Sequence, residues 1–263
     1  MHETRDNAFT KYIAFAVYLF LAAPIIIVIL ASFSPTAYLK FPPDEFSLKW
    51  YYNIFNANGF VEGFINSMKL AVLATAIDIV IGVCAALCIT RYKFKGKELL
   101  ANFFTSPLFL PSITFGFVLL QIFSMFTGMS IFMKLLIGHL VIILPYIVRN
   151  TTASLIGFNW SLEEAAMSLG ATPVQTFFKV TLPLIKPGVM AGDLLSFLYS
   201  LDDATISAFL TGPKFVTLPI RMLTYMEFAF DPTLAAISTL LILLSLVCIF
   251  AIEKLVGLDM FLK

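Results

Sequence analysis

The sequence predicts an all-α integral membrane protein of six transmembrane helices with both termini in the cytoplasm, and three observations carry that reading. Of 263 residues, 60% are hydrophobic and 13% charged, and the mean hydropathy is +0.94; an ordinary soluble domain has roughly 45–50% and about 25%. Six apolar stretches each come close to the ~20 residues that carry a helix across the hydrocarbon core. The basic residues gather on alternate connections between those stretches. Such a composition leaves no room for a separate soluble domain, so residues 1–263 are read as a single transmembrane domain. The net charge of +1 provides no global field for nucleic acid. Cys84, Cys88 and Cys248 lie in apolar runs, where thiols act as small hydrophobes, and His2 and His139 are too few for a histidine-ligated metal.

Taken in order, the first span covers residues 12–33. Arg5 and Lys11 precede it as they would a signal peptide, but its long apolar run and the lack of a small-x-small cleavage site predict a retained helix. In Phe46 to Tyr52, Ser47 can cap a short helix whose Trp50, Tyr51 and Tyr52 rings are expected at headgroup level. The second span, 64–90, carries Asp78 near its middle and a close-packing pair, Gly82 and Ala86. The third and fourth, 99–126 and 131–149, hold Pro107, Pro111 and Pro145 as expected kinks, with Gln121 and His139 as candidate polar partners. A cytoplasmic connection from 150 to 187 leads to the fifth span, 188–210. From Thr217 to Phe230, Pro219 starts a short helix expected to lie on the membrane or to line the outer mouth, and residues 233–252 form the sixth span.

Orientation follows from eleven basic residues on one side against six on the other. Arg5, Lys11, Arg91, Lys93, Lys95, Lys97, Arg149, Lys179, Lys186, Lys254 and Lys263 mark the cytoplasmic face; Lys40, Lys49, Lys69, Lys134, Lys214 and Arg221 mark the other.

The connection from 150 to 187 is too long to be structureless in a compact protein. Ser161-Leu162-Glu163-Glu164 reads as a capping box, and Thr172-Pro173-Val174-Gln175 as a second with proline at the first helical position. Gly170 between them suits a left-handed corner. A helix, a corner and another helix are expected, with Leu162, Leu169, Phe177 and Phe178 as apolar surface. That shape suits a groove on a soluble partner, or packing under the bundle.

In the fifth span, Asp193, Ser196, Ser200, Asp203 and Ser207 recur at helical intervals and are expected to share one face, while the adjacent Asp202 is rotated by about 100°. A lipid-facing column of carboxylates is costly, so the face should meet protein or a water-filled path. Asp203, about 22 Å along from Gly188 at ~1.5 Å per residue, either meets an incoming cation, bonds a neighbouring helix or caps a break. Asp78 either contacts the permeant or pairs with a donor on a neighbouring helix.

Glu164-Ala165-Ala166, three residues, Gly170, nine more, then Val180-x-Leu182-Pro183 resembles the EAA loop of ABC-importer permeases, with Val180 where isoleucine is usual. The resemblance implies the type I importer (MetI-like) permease fold. It also implies that Glu163, Glu164, Ala165, Ala166, Leu169 and Gly170 form a coupling helix docked on a cytoplasmic ATPase. Ser200-Leu201-Asp202-Asp203, Ser207-x-Phe209-x-Thr211-Gly212-Pro213 and Thr217-Leu218-Pro219 are similar to spermidine/putrescine permeases. Implied partners are a second permease, two ATPase subunits and an extracytoplasmic binding protein in a bacterial inner membrane. Asp203, Ser200, Asp202, Asp193, Ser207 and Asp78 become candidates for the substrate path.

No G-x-x-x-x-G-K-[ST] segment exists, so ATP and Mg are expected in the partner ATPase and no cofactor in this chain. Permeases for aminophosphonate, opine, thiosulfate or iron are alternatives for the solute. A self-contained secondary transporter would use the membrane aspartates as a relay but leaves the capped helix pair without a purpose. An intramembrane enzyme finds no His-Glu-x-x-His or Gly-x-Gly-Asp text.

Overall fold

The computed structural model describes residues 8–38, 42–43, 45–56, 59–126, 128–229 and 231–256. His2, Arg5, Lys40, Phe230 and Lys263, used in the reading of the sequence, lie outside the described residues. Twelve helices are named here in chain order: α1 Ala8–Ala31, α2 Lys49–Asn56, α3 Phe60–Arg91, α4 Lys97–Thr105, α5 Ser112–Ser124, α6 Ile131–Ile156, α7 Ser161–Ser168, α8 Pro173–Thr176, α9 Leu182–Asp202, α10 Thr205–Leu210, α11 Leu218–Phe228 and α12 Thr233–Val256. Five stretches among the described residues are long and apolar enough to cross a membrane, and a sixth crossing exists if the bent pair α4 and α5 counts as one.

The chain divides into two compact units. The first joins residues Met1–Phe60 to Met222–Leu244. Here the Ser47 hydroxyl accepts the Lys49 N–H at the head of α2, as expected. Trp50 departs from its expected interfacial place: it is 5% exposed, and its indole N–H donates to the Ser34 carbonyl at 2.6 Å. A buried indole needs such an acceptor, and the bend after α1 supplies it. Tyr51 bonds Ser32 at 2.7 Å, while Tyr52 stays exposed.

The second unit holds Val61–Arg221 and Ser245–Lys263. Its core packs Leu70, Ala74, Leu119, Leu135, Ile143 and Ile206. Helices α6 and α9 approach closely because Gly192 has no side chain: a Cβ there would lie 2.9 Å from the Ile147 Cα. Gly82 of α3 faces Ile147 in the same way and Ala86 is fully buried, so the small pair packs as its spacing predicts.

Two expected spans differ. The stretch 99–126 is not one kinked helix, since α4 with its terminal turn Ser106–Phe109 meets α5 at 106°. Pro111 is the cause. A residue before proline is pushed out of the helical region, and Leu110 is extended at ψ 137°. The fifth span begins earlier than residue 188, because helix runs from Pro173 to Asp202 through Pro187. A wide π-turn, Phe177–Thr181, makes this possible, with the Leu182 N–H reaching back to the Phe177 carbonyl. Pro183 lacks an N–H and its ring crowds the carbonyl four residues earlier, and the wide turn falls at that point. The connection after span four is correspondingly shorter, as α6 continues to Ile156.

Candidate functional site

The cytoplasmic corner is built from local chemistry. Thr172 and Gln175 form the expected reciprocal capping box, the Thr172 hydroxyl accepting the Gln175 N–H and the Gln175 side chain accepting the Thr172 N–H. Gly170 sits at φ +92°, a conformation that a Cβ disfavours. The first expected box does not form. Ser161 is already inside α7, and the Asn159 side-chain oxygen accepts both its N–H and its hydroxyl. Asn159 is the better acceptor, having a carbonyl oxygen aimed two residues ahead.

Helix α7 presents Glu164, Ala165, Leu169 and Gly170 outward and half-buries Ala166. Leu169 is 90% exposed, and Val174 and Phe178 after the corner are exposed as well. Glu163 does not join this surface as expected. It is 3% exposed, its carboxylate 2.8 Å from the Arg91 guanidinium and accepting the Thr181 hydroxyl. Adjacent residues on a helix point about 100° apart, so one glutamate of the pair faces inward and needs a cation there. Arg91 also covers the Trp160 ring at 5.6 Å, and Trp160 packs with Phe158 and Phe177 on the Leu155 and Ile185 core. Together these contacts fasten α7 to the end of α3 and to the π-turn.

The polar face of the fifth span is interrupted. Helix α9 ends at Asp202, and Asp203 takes an extended conformation at ψ 114°. Its carboxylate accepts the N–H groups of Ser207 at 2.9 Å and Ile206 at 3.4 Å, capping α10. Asp193 to Ser207 is thus no continuous stripe of one helix, because a carboxylate able to cap the following turn competes with helix continuation. His139 of α6 bridges the break: Nδ1 bonds Ser200 at 2.8 Å, Nε2 bonds Ser207 at 3.2 Å, and Nε2 lies 3.7 Å from Asp203. His139 and Ser207 are fully buried and Ser200 nearly so. Ser196 donates to the Ile143 carbonyl. Asp202 is exposed.

Asp78 is fully buried and neither carboxylate oxygen has a hydrogen-bond partner among the described residues. Asp193, half-buried, lines a separate cavity of about 370 Å³ with α3 and α12. The six candidate path residues therefore fall into three places: the break with Ser200, Asp203 and Ser207 and the exposed Asp202 beside them, the cavity with Asp193, and Asp78 apart on α3. Sequence reasoning missed Arg91 and Thr181 as partners of Glu163. Pairings across 72 and 18 positions leave no local pattern. It named His139 only as a candidate partner, although a lone histidine within a span is itself a pointer to a buried polar contact.

The family described as "Binding-protein-dependent transport system inner membrane component" matches residues 78–260. The chain is 35% identical over 233 residues to the spermidine/putrescine transport system permease protein PotC of Haemophilus influenzae, covering 88% of this chain and 90% of that one. Among solved structures, it is similar to a chain of a bacterial alginate ABC transporter in complex with an alginate pentasaccharide-bound periplasmic protein. That likeness has a TM-score of 0.69 at 15% identity, over 94% of this chain and 92% of the other. A chain of the inward-facing MetNI methionine ABC transporter gives a TM-score of 0.63 at 20% identity, over 75% and 94%. With a family match over more than half its length and a helical fold shared with those importers, the chain belongs to the inner-membrane components of binding-protein-dependent transport systems, as an ABC-transporter permease of the type I importer fold.

Proposed function

We propose that this permease moves a small organic cation of the polyamine class, spermidine or putrescine, inward across a bacterial inner membrane, with its N- and C-termini in the cytoplasm. The observation that carries the reading is the 35% identity to a spermidine/putrescine permease along nearly the whole of both chains. Carboxylates within the membrane helices agree with it, since they offset the desolvation of ammonium groups.

The complete transporter contains a second permease, two ATPase subunits that bind ATP and Mg, and an extracytoplasmic binding protein. Helix α7 docks on one ATPase through Glu164, Ala165, Ala166, Leu169 and Gly170. Exposed apolar side chains on a water-facing corner support that role: Leu169 is 90% exposed, and Phe178, against the Phe177 ring, is still 60% exposed. ATPase closure displaces α7; the Arg91–Glu163 pair carries the displacement to α3, and the turn at Gly170 carries it through α8 into α9.

Reconstitution of the chain with its partner permease, ATPase and binding protein tests the proposal. ATP-dependent accumulation of labelled putrescine or spermidine is expected, with none when the ATPase is left out. Uptake without the ATPase, or failure to accumulate either amine while another solute enters, would refute it.

A further inference from the structure

The cavity of about 370 Å³ beside Asp193 is an open groove within the second unit, between α3, α9 and α12, where Val72 is 52% exposed and Ala76 is exposed. Its wall is mostly hydrocarbon, from Val72, Ala76, Phe197 and Ile252. Two polar groups interrupt that wall. Asp193 Oδ1 and Thr75 Oγ1 are both buried without a hydrogen-bond partner among the described residues, and Thr75 as a whole is 5% exposed. Acceptors left unpaired in apolar surroundings are costly, whereas the neighbouring Ser196 on the same helix is satisfied by the Ile143 carbonyl.

The complement of this cavity is specific. A protonated amine brings three N–H donors on one positive centre, enough for the carboxylate and the hydroxyl together, and its methylenes match the wall. An anion is repelled by Asp193. A sugar would leave its own hydroxyls unpaired against Val72 and Ile252. Asp203 is the poorer site for a cation, because its carboxylate already accepts the Ser207 and Ile206 N–H groups. The two aspartates are ten residues apart, and along a helix that separation is about 15 Å.

We propose that this cavity is a binding station for the terminal ammonium of an aliphatic amine in transit. Asp193 is the counter-charge, Thr75 the second acceptor, and the α3 and α12 side chains the seat of the methylene chain. The assignment rests on the polyamine reading and deepens it, naming the residues that hold the cation within the membrane.

Cys248 is in the wall and reports occupancy. In the complete transporter embedded in lipid nanodiscs, a small cationic methanethiosulfonate is applied and its addition to Cys248 followed by peptide mass spectrometry. Putrescine and n-butylamine are expected to slow the labelling by about fivefold or more at saturation, and butane-1,4-diol to leave it unchanged. Asp193→Asn removes the protection and Asp193→Glu retains it. If Asp193→Asn does not assemble, Thr75→Val, which removes the second acceptor at nearly the same volume and leaves Cys248 open, is expected to weaken the protection instead. Labelling indifferent to both amines, or protection surviving in Asp193→Asn, overturns the station. Because butylamine protection needs no transport, putrescine uptake without protection refutes the station and leaves the polyamine reading, while protection without putrescine uptake does the reverse.

Discussion

Asp203 and Glu163 carry the same charge and are both nearly buried, yet their partners give them different work. Asp203 holds the first turn of α10 through two backbone N–H groups. Asp203→Ala removes the acceptor and is expected to lower stability by about 1 kcal/mol, the usual effect of losing a helix cap. The thermal midpoint of the purified complex measures this, and Asp203→Asn, keeping one acceptor oxygen, should lose less. Glu163 is joined to a guanidinium that is itself 39% exposed, so solvent screens the pair from one side. A double-mutant cycle of Glu163→Gln and Arg91→Gln should return a coupling energy of about 0.5–3 kcal/mol, read from thermal midpoints. Additive effects would mean that α7 is fastened by packing alone. That Glu163 faces inward was not legible beforehand: the sequence shows two adjacent glutamates, and only the position of Arg91 decides which one is buried.

Among the elements, those governed by local rules agree best with the reading of the sequence. The Thr172 box and the Gly170 corner depend on three or four neighbouring residues, and both are present. Gly170→Pro is expected to abolish transport while leaving the chain in the membrane, because proline fixes φ near −65° where +92° is needed. Measuring uptake beside membrane abundance separates lost coupling from lost folding. Helix ends at positions 110 and 203 were less legible. Pro111 signals a change of direction but not its size, and Asp203 reads equally as a helical residue or a cap until its backbone is seen. Packing between α6 and α9 depends on Gly192, so Gly192→Leu should force the helices apart and destabilise by about 1–3 kcal/mol or more, as overpacking does. A thermal midpoint equal to the parent's would show that the two helices can separate without penalty.

At the scale of the molecule, composition and the apolar stretches were enough for the membrane class, while the six expected crossings stand against five in the described residues, or six with the bent pair α4 and α5 as one; the division into two compact units leaves no mark in hydropathy. Orientation gives the matching prediction. Tyr92→Cys, at an exposed position in the basic connection after α3, should react with a membrane-impermeant maleimide only in inverted vesicles, and Phe46→Cys only in right-side-out ones. The opposite pattern would reverse the topology and place α7 out of reach of any cytoplasmic ATPase.

The π-turn at Phe177–Thr181 stands between that corner and the aspartate farther along the same rod. A wide turn holds one residue more than an ordinary one needs, like slack kept in a screw thread. Taking up that slack advances the downstream helix by one position, a twist of about 100° with a rise of about 1.5 Å. Everything beyond Leu182, Asp193 included, would swing to a new bearing as the wide-turn bonds, such as that from the Leu182 N–H to the Phe177 carbonyl, are exchanged for ordinary ones. A push at the cytoplasmic corner, were an ATPase to deliver one, would thereby have in the chain's own winding a means of becoming a rotation inside the membrane.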